Sequence, residues 1–271
     1  MLNAGDYGLA VQERAELIML SDIAGYVGAD TCGCLLAIRQ DQQEEISLMI
    51  DIGTNGEMVL GNRERMVTCS TAAGPAFEGA KIECGMRGAA GAVDHVKYED
   101  GKWNYTTVGN KPAVGLCGSG LIDLVAGLLD AGMLDENGVL RSGQEKQGVF
   151  ILVLPERGGN ERGVYLTQKD LGEVQLAKAA IAAGIQMLME RLGITEDDIC
   201  SVYIAGAFGN YMDPVSAGKI GLFPATLVKK VKPVGNAAGE GAKIALVNEK
   251  EMLEMDELCL LYTSPSPRDT R

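Results

Sequence analysis

No stretch of this sequence reaches the roughly 18–20 consecutive apolar residues of a membrane span, so no membrane association is expected. Residues 1–17 lack the charged-then-apolar order of a secretory signal, and a cytoplasmic address is the resulting expectation. Basic residues are the minority, 24 against 37 acidic, for a formal net charge of −13. No Lys/Arg block stands out, which argues against a nucleic-acid surface. The acidity reads as solubility, with docking onto a basic partner left open. Seven cysteines are scattered at 32, 34, 69, 84, 117, 200 and 259. Their odd number and irregular spacing suggest no disulfide framework. Cys32-Gly-Cys34 is the one close pair, and it is not the C-x₂-C of a zinc or iron–sulfur site. The thiols therefore read as small buried side chains. Aromatics make up only 5%.

Glycine is abundant instead, at 36 residues, as expected where the backbone must turn tightly or approach a ligand. With 46% hydrophobic residues the chain can bury one large domain or two small lobes. Residues 46–71 read as three strands in sequence, Ile46–Ile52, Glu57–Leu60 and Met66–Thr71, joined by Gly53-Thr-Asn-Gly56 and Gly61-Asn62 turns. A further hairpin is expected over 92–108, turning at Asp100-Gly101. Leu121, Ile122, Val125, Leu128 and Leu129 share a helical spacing, with Ser119 as the expected N-cap. A strand pair over 149–167 leads to a long helix. That helix opens on Thr167-Gln-Lys-Asp170, a capping box with a shortened acid, and stops at Gly193. Strands follow at Ser201–Ala205 and Val231–Val234. Asp213-Pro214 opens one helix, and Gly235-Asn236 leads into another that runs to about Asn248. Antiparallel strands followed by β–α alternation give an α/β mixed sheet flanked by helices, with hairpin insertions.

Two motifs carry chemistry. Asp51-Ile-Gly-Thr-Asn55 closes a buried strand, and a glycine-containing bend there can present amides and a hydroxyl to an anion beside a carboxylate that can hold Mg²⁺. Ile204-Ala-Gly-Ala-Phe-Gly209 follows another strand, where small residues let a nucleotide come close to the backbone.

In that order the two motifs resemble the second phosphate motif and the adenosine motif of the acetate and sugar kinase, Hsp70 and actin superfamily. Longer phrases resemble the reductive activators of corrinoid proteins: Gly25-Tyr-Val-Gly-Ala-Asp30, Ala72-Ala-Gly-Pro-Ala-Phe-Glu-Gly-Ala80 with Gly85-Met86-Arg87, and Gly115-Leu-Cys-Gly-Ser-Gly120. Thr167–Asp170 and Gly235-Asn-Ala-Ala-Gly-Glu-Gly241 fit as well, so the likeness runs from about residue 20 to 248. The resemblance implies an actin-like, ribonuclease H-like second lobe of a two-lobe ATPase. Its implied activity is ATP-dependent reduction of a corrinoid from Co(II) to Co(I), with ATP and Mg²⁺ as cofactors. A corrinoid protein of a methyltransferase system is the implied partner, and a homodimer is left open. The family's two-iron two-sulfur domain and first phosphate motif have no counterpart here, which makes the chain resemble a C-terminal fragment.

By the same resemblance Asp51 faces phosphate and metal, with Gly53, Thr54 and Asn55 beside it. Gly206, Ala207 and Gly209 approach the adenosine. The loop containing Gly74 borders the cleft, and Glu78 either orients a water or metal ion or is a helix-entry carboxylate. His95, the only histidine, reads as a surface residue. Residues 1–45 are expected to link to an upstream lobe, 46–250 to form the nucleotide-binding lobe, and 251–271 to be a tail. In that tail 259–271, with Ser-Pro-Ser-Pro, looks like non-native read-through. Two other functions fit the same motifs: a small-molecule kinase of this superfamily, or a non-catalytic nucleotide-gated interaction module. The cysteine spacing predicts that the polypeptide, purified anaerobically, carries no iron–sulfur cluster. Stoichiometric iron and acid-labile sulfide would contradict this.

Overall fold

The computed structural model describes all residues except 1, 13, 20, 136, 142–147, 207, 208 and 261–271. A two-residue pair, β1 (Leu2–Asn3) and β2 (Glu16–Leu17), precedes helix α1 (Ala29–Ile38). Three strands follow: β3 (Ser47–Ile52), β4 (Gly56–Gly61) and β5 (Met66–Thr71). After a turn-rich segment come β6 (Ala92–Glu99), β7 (Lys102–Thr107), β8 (Gly115–Leu116) and α2 (Gly118–Asp130). The β9 (Val149–Val153) and β10 (Val164–Thr167) ribbon leads into α3 (Gln168–Leu192). The chain then alternates through β11 (Ser201–Ala205), α4 (Pro214–Lys219), β12 (Val231–Gly235), α5 (Ala237–Val247) and α6 (Glu249–Leu260).

The main sheet has the order β12-β11-β3-β4-β5. Strands β12, β11 and β3 run parallel, while β3-β4-β5 form an antiparallel meander. This is the mixed sheet expected from the sequence. Strand β3 is central and buried on both faces, and its period of two separates two cores. Leu48, Ile50 and Ile52 enter the large core with Leu171, Val174, Ile181 and Ile185 of α3. Met49 points the other way, into a smaller cluster with Cys34, Leu35, Val59, Ala205 and Ala237. The sheet therefore has α3 on one face and α1 with α5 on the other.

Helix α3 forms where its pattern demands. Thr167 accepts from the Asp170 amide, the Asp170 carboxylate accepts from the Thr167 amide, and Gly193 caps the far end at φ 70°. Asp170 also accepts from the Glu83 amide, at 2.9 Å, so this cap fastens the turn-rich segment to α3. The β6–β7 hairpin turns at Asp100-Gly101, both with positive φ, as a two-residue hairpin turn requires. Asp213 caps α4 through the Ser216 amide with Pro214 following, also as expected.

One expectation needs correction. Cys117, not Ser119, is the N-cap of α2, and no side chain caps it. The helix starts two residues early because Gly120 lies flat on β6, where an added Cβ would run into the Val93 carbonyl. Within residues 1–45, expected as a link, α1 forms a buried wall of the sheet. Helix α6 (Glu249–Leu260) runs into the expected tail of 251–271, and its Met255 packs with Cys32, Leu36 and Ala245. The stretch 261–271, most of the suspected read-through, lies outside the described residues.

Helices α1 and α5 cross at contact distance because both carry glycine there. A Cβ on Gly33 would stand 2.9 Å from the Ala238 carbonyl oxygen, and one on Gly241 would land on the Gly33 carbonyl. Gly241→Ala is predicted to cost about 2–3 kcal/mol through forced separation of the helices. Gly172→Ala, on α3 with open space around it, should instead gain about 0.5–1 kcal/mol from helix propensity. Thermal melts of the two variants should move in opposite directions, and a neutral Gly241→Ala would show that the crossing is not tight.

Candidate functional site

The site is assembled by the pairing of β3 with β11. Asp51 lies opposite Ala205 in the parallel register, so Gly206 follows directly beside the Asp51 hairpin. Gly206 has φ 106°, and an added Cβ would lie 2.6 Å from the Ile52 carbonyl oxygen and 3.2 Å from Asp51 Oδ1. Only glycine fits that conformation and that approach. The Gly206 amide donates to the Gly235 carbonyl at 3.0 Å, which tucks the start of the β11–α4 connection against β12. The two motifs, distant in sequence, thus adjoin at one end of the sheet.

Between β3 and β4 the chain turns through Gly53, Thr54 and Asn55, with Gly53 donating to the Asn55 carbonyl at 3.0 Å. Among the described residues no hydrogen bond occupies the Thr54 or Asn55 amide. Both residues are exposed. The Thr54 hydroxyl lies 3.2 Å from each oxygen of Glu78, so this carboxylate is seated over the bend. Glu78 sits in a run of turns and not at a helix entry, which removes that alternative. Gly74, at φ 78°, has open space where a Cβ would be and leaves the neighbouring surface clear. Gly209 is different: it packs against Ile204, with a hypothetical Cβ 3.1 Å from the Ile204 carbonyl oxygen, so its smallness serves the fold of the turn. Ala207 lies outside the described residues.

Asp51 is the electrostatic centre of this arrangement. Burial, and then the negative charge of Asp30 on α1, push its carboxyl above the ordinary carboxylate value. Glu57, across on β4, is likewise pushed up by burial and by the Asp30 and Asp51 charges, while Ser70 donates to it at 2.9 Å. The Asp30 charge thus acts on both Asp51 and Glu57, yet among the described residues no group of three or more acidic, thiol or imidazole side chains could hold a metal ion by itself. The free amides of the bend suit an anion, and Asp51 beside them suits a cation that arrives with it.

Two features escaped the sequence reading. Cys34 Sγ lies 3.5 Å from Asp51 Oδ2, across a helix-to-strand contact with no local signal in the sequence. His95 has a partner after all: its Nδ1 is 3.1 Å from Asp123 Oδ2, whose residue is buried in α2. His95 itself remains partly exposed, as a hairpin residue should, and it stands apart from the Asp51 corner in the three-stranded β7-β6-β8 sheet. Cys117 bonds to the Val93 carbonyl and Ser119, within that same sheet and α2.

A protein-family model described as "C-terminal domain of RACo the ASKHA domain" matches residues 45–263. The chain is 37% identical over 265 residues to the corrinoid activation enzyme RamQ of Eubacterium limosum, covering 92% of this chain and 44% of that protein. It is 31% identical over 270 residues to a Co(II) methylated amine-specific corrinoid protein reductase of Methanosarcina barkeri, 92% of this chain and 47% of that protein. A solved structure of a reductive activator for corrinoid, iron–sulfur protein superposes with a TM-score of 0.89 at 38% identity, covering 97% of this chain and 43% of that one. The chain thus spans less than half the length of these relatives.

The Asp51 carboxylate is predicted to be costly for the fold. Its folded-state pKa is raised, so the carboxyl is protonated in both the native and the unfolded state below the ordinary value of 3.8 and carries no penalty there. As pH rises from there through the folded-state pKa, the unfolded state loses its proton first and the native state is penalised. Asp51→Asn should therefore melt about 2–4 °C higher than wild type at neutral pH, roughly 1 kcal/mol for a chain this size, and lose that advantage in acid. A destabilised Asp51→Asn protein at neutral pH would contradict the assignment of an uncompensated buried charge.

Proposed function

The chain belongs to the family described as the C-terminal domain of RACo, the ASKHA domain, and from that premise we propose that it supplies half of an ATP site in a protein that reduces corrinoid from Co(II) to Co(I). The observation that carries this reading is the abutment of the Asp51 hairpin and Gly206 on adjacent parallel strands. The residues present fit a nucleotide that brings its own Mg²⁺: an anion-ready bend, the Asp51 carboxylate with no counter-cation among the described residues, and a close approach at Gly206, without a cluster that would hold the metal alone.

The roles follow from position. The Thr54 and Asn55 amides donate to phosphate oxygens, and Gly53 gives the bend its shape. Asp51 holds Mg²⁺ or one of its waters, and the metal's charge offsets the repulsion from Asp30 and Glu57. Gly206 admits the adenosine; Ala207 and Gly209, close to it in sequence, are assigned to the same surface. Glu78 holds the Thr54 hydroxyl and can orient a water toward the phosphates, while Gly74 keeps the approach open. Bound ATP supplies the free energy of phosphoryl transfer, and the chain contributes positioning and charge stabilisation.

The relatives' names speak of corrinoid activation and of a Co(II) corrinoid protein reductase, which supports a corrinoid protein as the partner; that this protein serves a methyltransferase system is part of the proposal. The electron that converts Co(II) to Co(I) is assigned to a two-iron two-sulfur domain outside these 271 residues, in the cytoplasm.

A domain exchange tests the reading. This chain replaces the matching 44% of the Eubacterium limosum relative, and corrinoid absorbance is followed under reducing conditions. ATP should accelerate loss of the Co(II) spectrum, and Asp51→Ala in the exchanged protein should abolish the acceleration. Equal rates with and without ATP, in an exchanged protein that retains the native fold, would refute the proposal.

A further inference from the structure

Cys34 is fully buried at the middle of α1, facing the side of β3 that carries Met49 and Asp51. Its Sγ is 3.5 Å from Asp51 Oδ2, and no other side chain among the described residues donates to that carboxylate. The other oxygen, Oδ1, is directed toward Gly206. Ala238, in the first turn of α5, packs against the same apolar cluster as Cys34.

We propose that Cys34 is the positioning residue of Asp51: its S–H donates to Oδ2 and holds the carboxylate with Oδ1 turned to the ligand side. Sulfur suits the place. A thiol is a weak donor that behaves otherwise as a small hydrophobe, and its sulfur is so weak an acceptor that it can sit among Leu35, Met49, Val59, Ala205 and Ala237 at little cost. Among the described residues, the charged groups around the pair are Asp30 on α1 and Glu57 on β4, both repelling the Asp51 charge, and Cys34 is the one neighbour that favours it.

The inference rests on the nucleotide reading for its second test and not for its first. The first test is ligand-free: the Asp51 side-chain carboxyl is titrated by carbon NMR in the 271-residue chain. Removing the donor in Cys34→Ala should raise the Asp51 midpoint by about 0.5–1 on the pH scale, the worth of one hydrogen bond to a charged group. Cys34→Ser, with a stronger O–H donor, should leave it at or below the wild-type value. The second test is MgATP affinity in the domain-exchanged protein. Cys34→Ala should weaken it about tenfold, and Cys34→Ser should restore it to within about twofold of wild type. An Asp51 midpoint unmoved by Cys34→Ala, in a chain that keeps its native spectrum, overturns the proposal. A moved midpoint with unchanged MgATP affinity also overturns it, because the contact would then be structural. If the unsubstituted exchanged protein fails to bind MgATP, the nucleotide reading falls and the titration alone decides whether Cys34 sets the state of Asp51.

Discussion

The parallel pairing of β3 with β11 is the constraint on which the rest depends. It puts Asp51 beside Ala205 and places Gly206 against the hairpin base. It also leaves β3 buried on both faces, so its alternate residues must serve two cores. A one-residue slip would exchange those faces, sending Asp51 into the apolar layer under α3 and Ile50 toward α1. The register is therefore fixed by the hydrophobic pattern, and the site inherits its geometry from it. Helix α3, with Ile181 and Ile185 in the large core, and the α1–α5 pair each lock one face.

Within this frame, stability and binding pull against each other. Asp51, Asp30 and Glu57 crowd one corner, and burial adds to the mutual repulsion. A fold optimised for stability alone would not keep a half-buried carboxylate there. Its retention makes sense if a cation arrives with a phosphate ligand. The Gly33–Gly241 crossing lies immediately beside Cys34, so the closeness of α1 to α5 and the setting of Asp51 share one small region.

Much of this was legible in the sequence. The strands of the meander, the Thr167–Asp170 box, the Gly193 stop and the Asp213-Pro214 helix start are short-range signals, and each appears where its chemistry puts it. The motif around Asp51 and the one around Gly206 could be read as nucleotide-binding, but only the strand order brings them together. What could not be read was long-range. Helix α1 has little amphipathic pattern because it is covered on several sides, so Cys32 and Cys34 looked like inert small residues. The contact of Cys34 with Asp51 and that of His95 with Asp123 join elements through the tertiary fold, and no local spacing encodes them. Helix α6 carries many charges and was taken for tail, since its hold on the fold rests on Met252 and Met255.

The central claim is that the Asp51 hairpin and the Gly206 turn form one nucleotide surface. Paramagnetic broadening tests it most directly, because it detects even weak occupancy. Mn²⁺–ATP titrated into the nitrogen-labelled chain should broaden the amides of residues 53–56 and 206–210 together, at the lowest concentrations. The β6–β7 hairpin around His95 should be unaffected. Broadening that spares either motif, or that begins elsewhere on the acidic surface, would contradict the account.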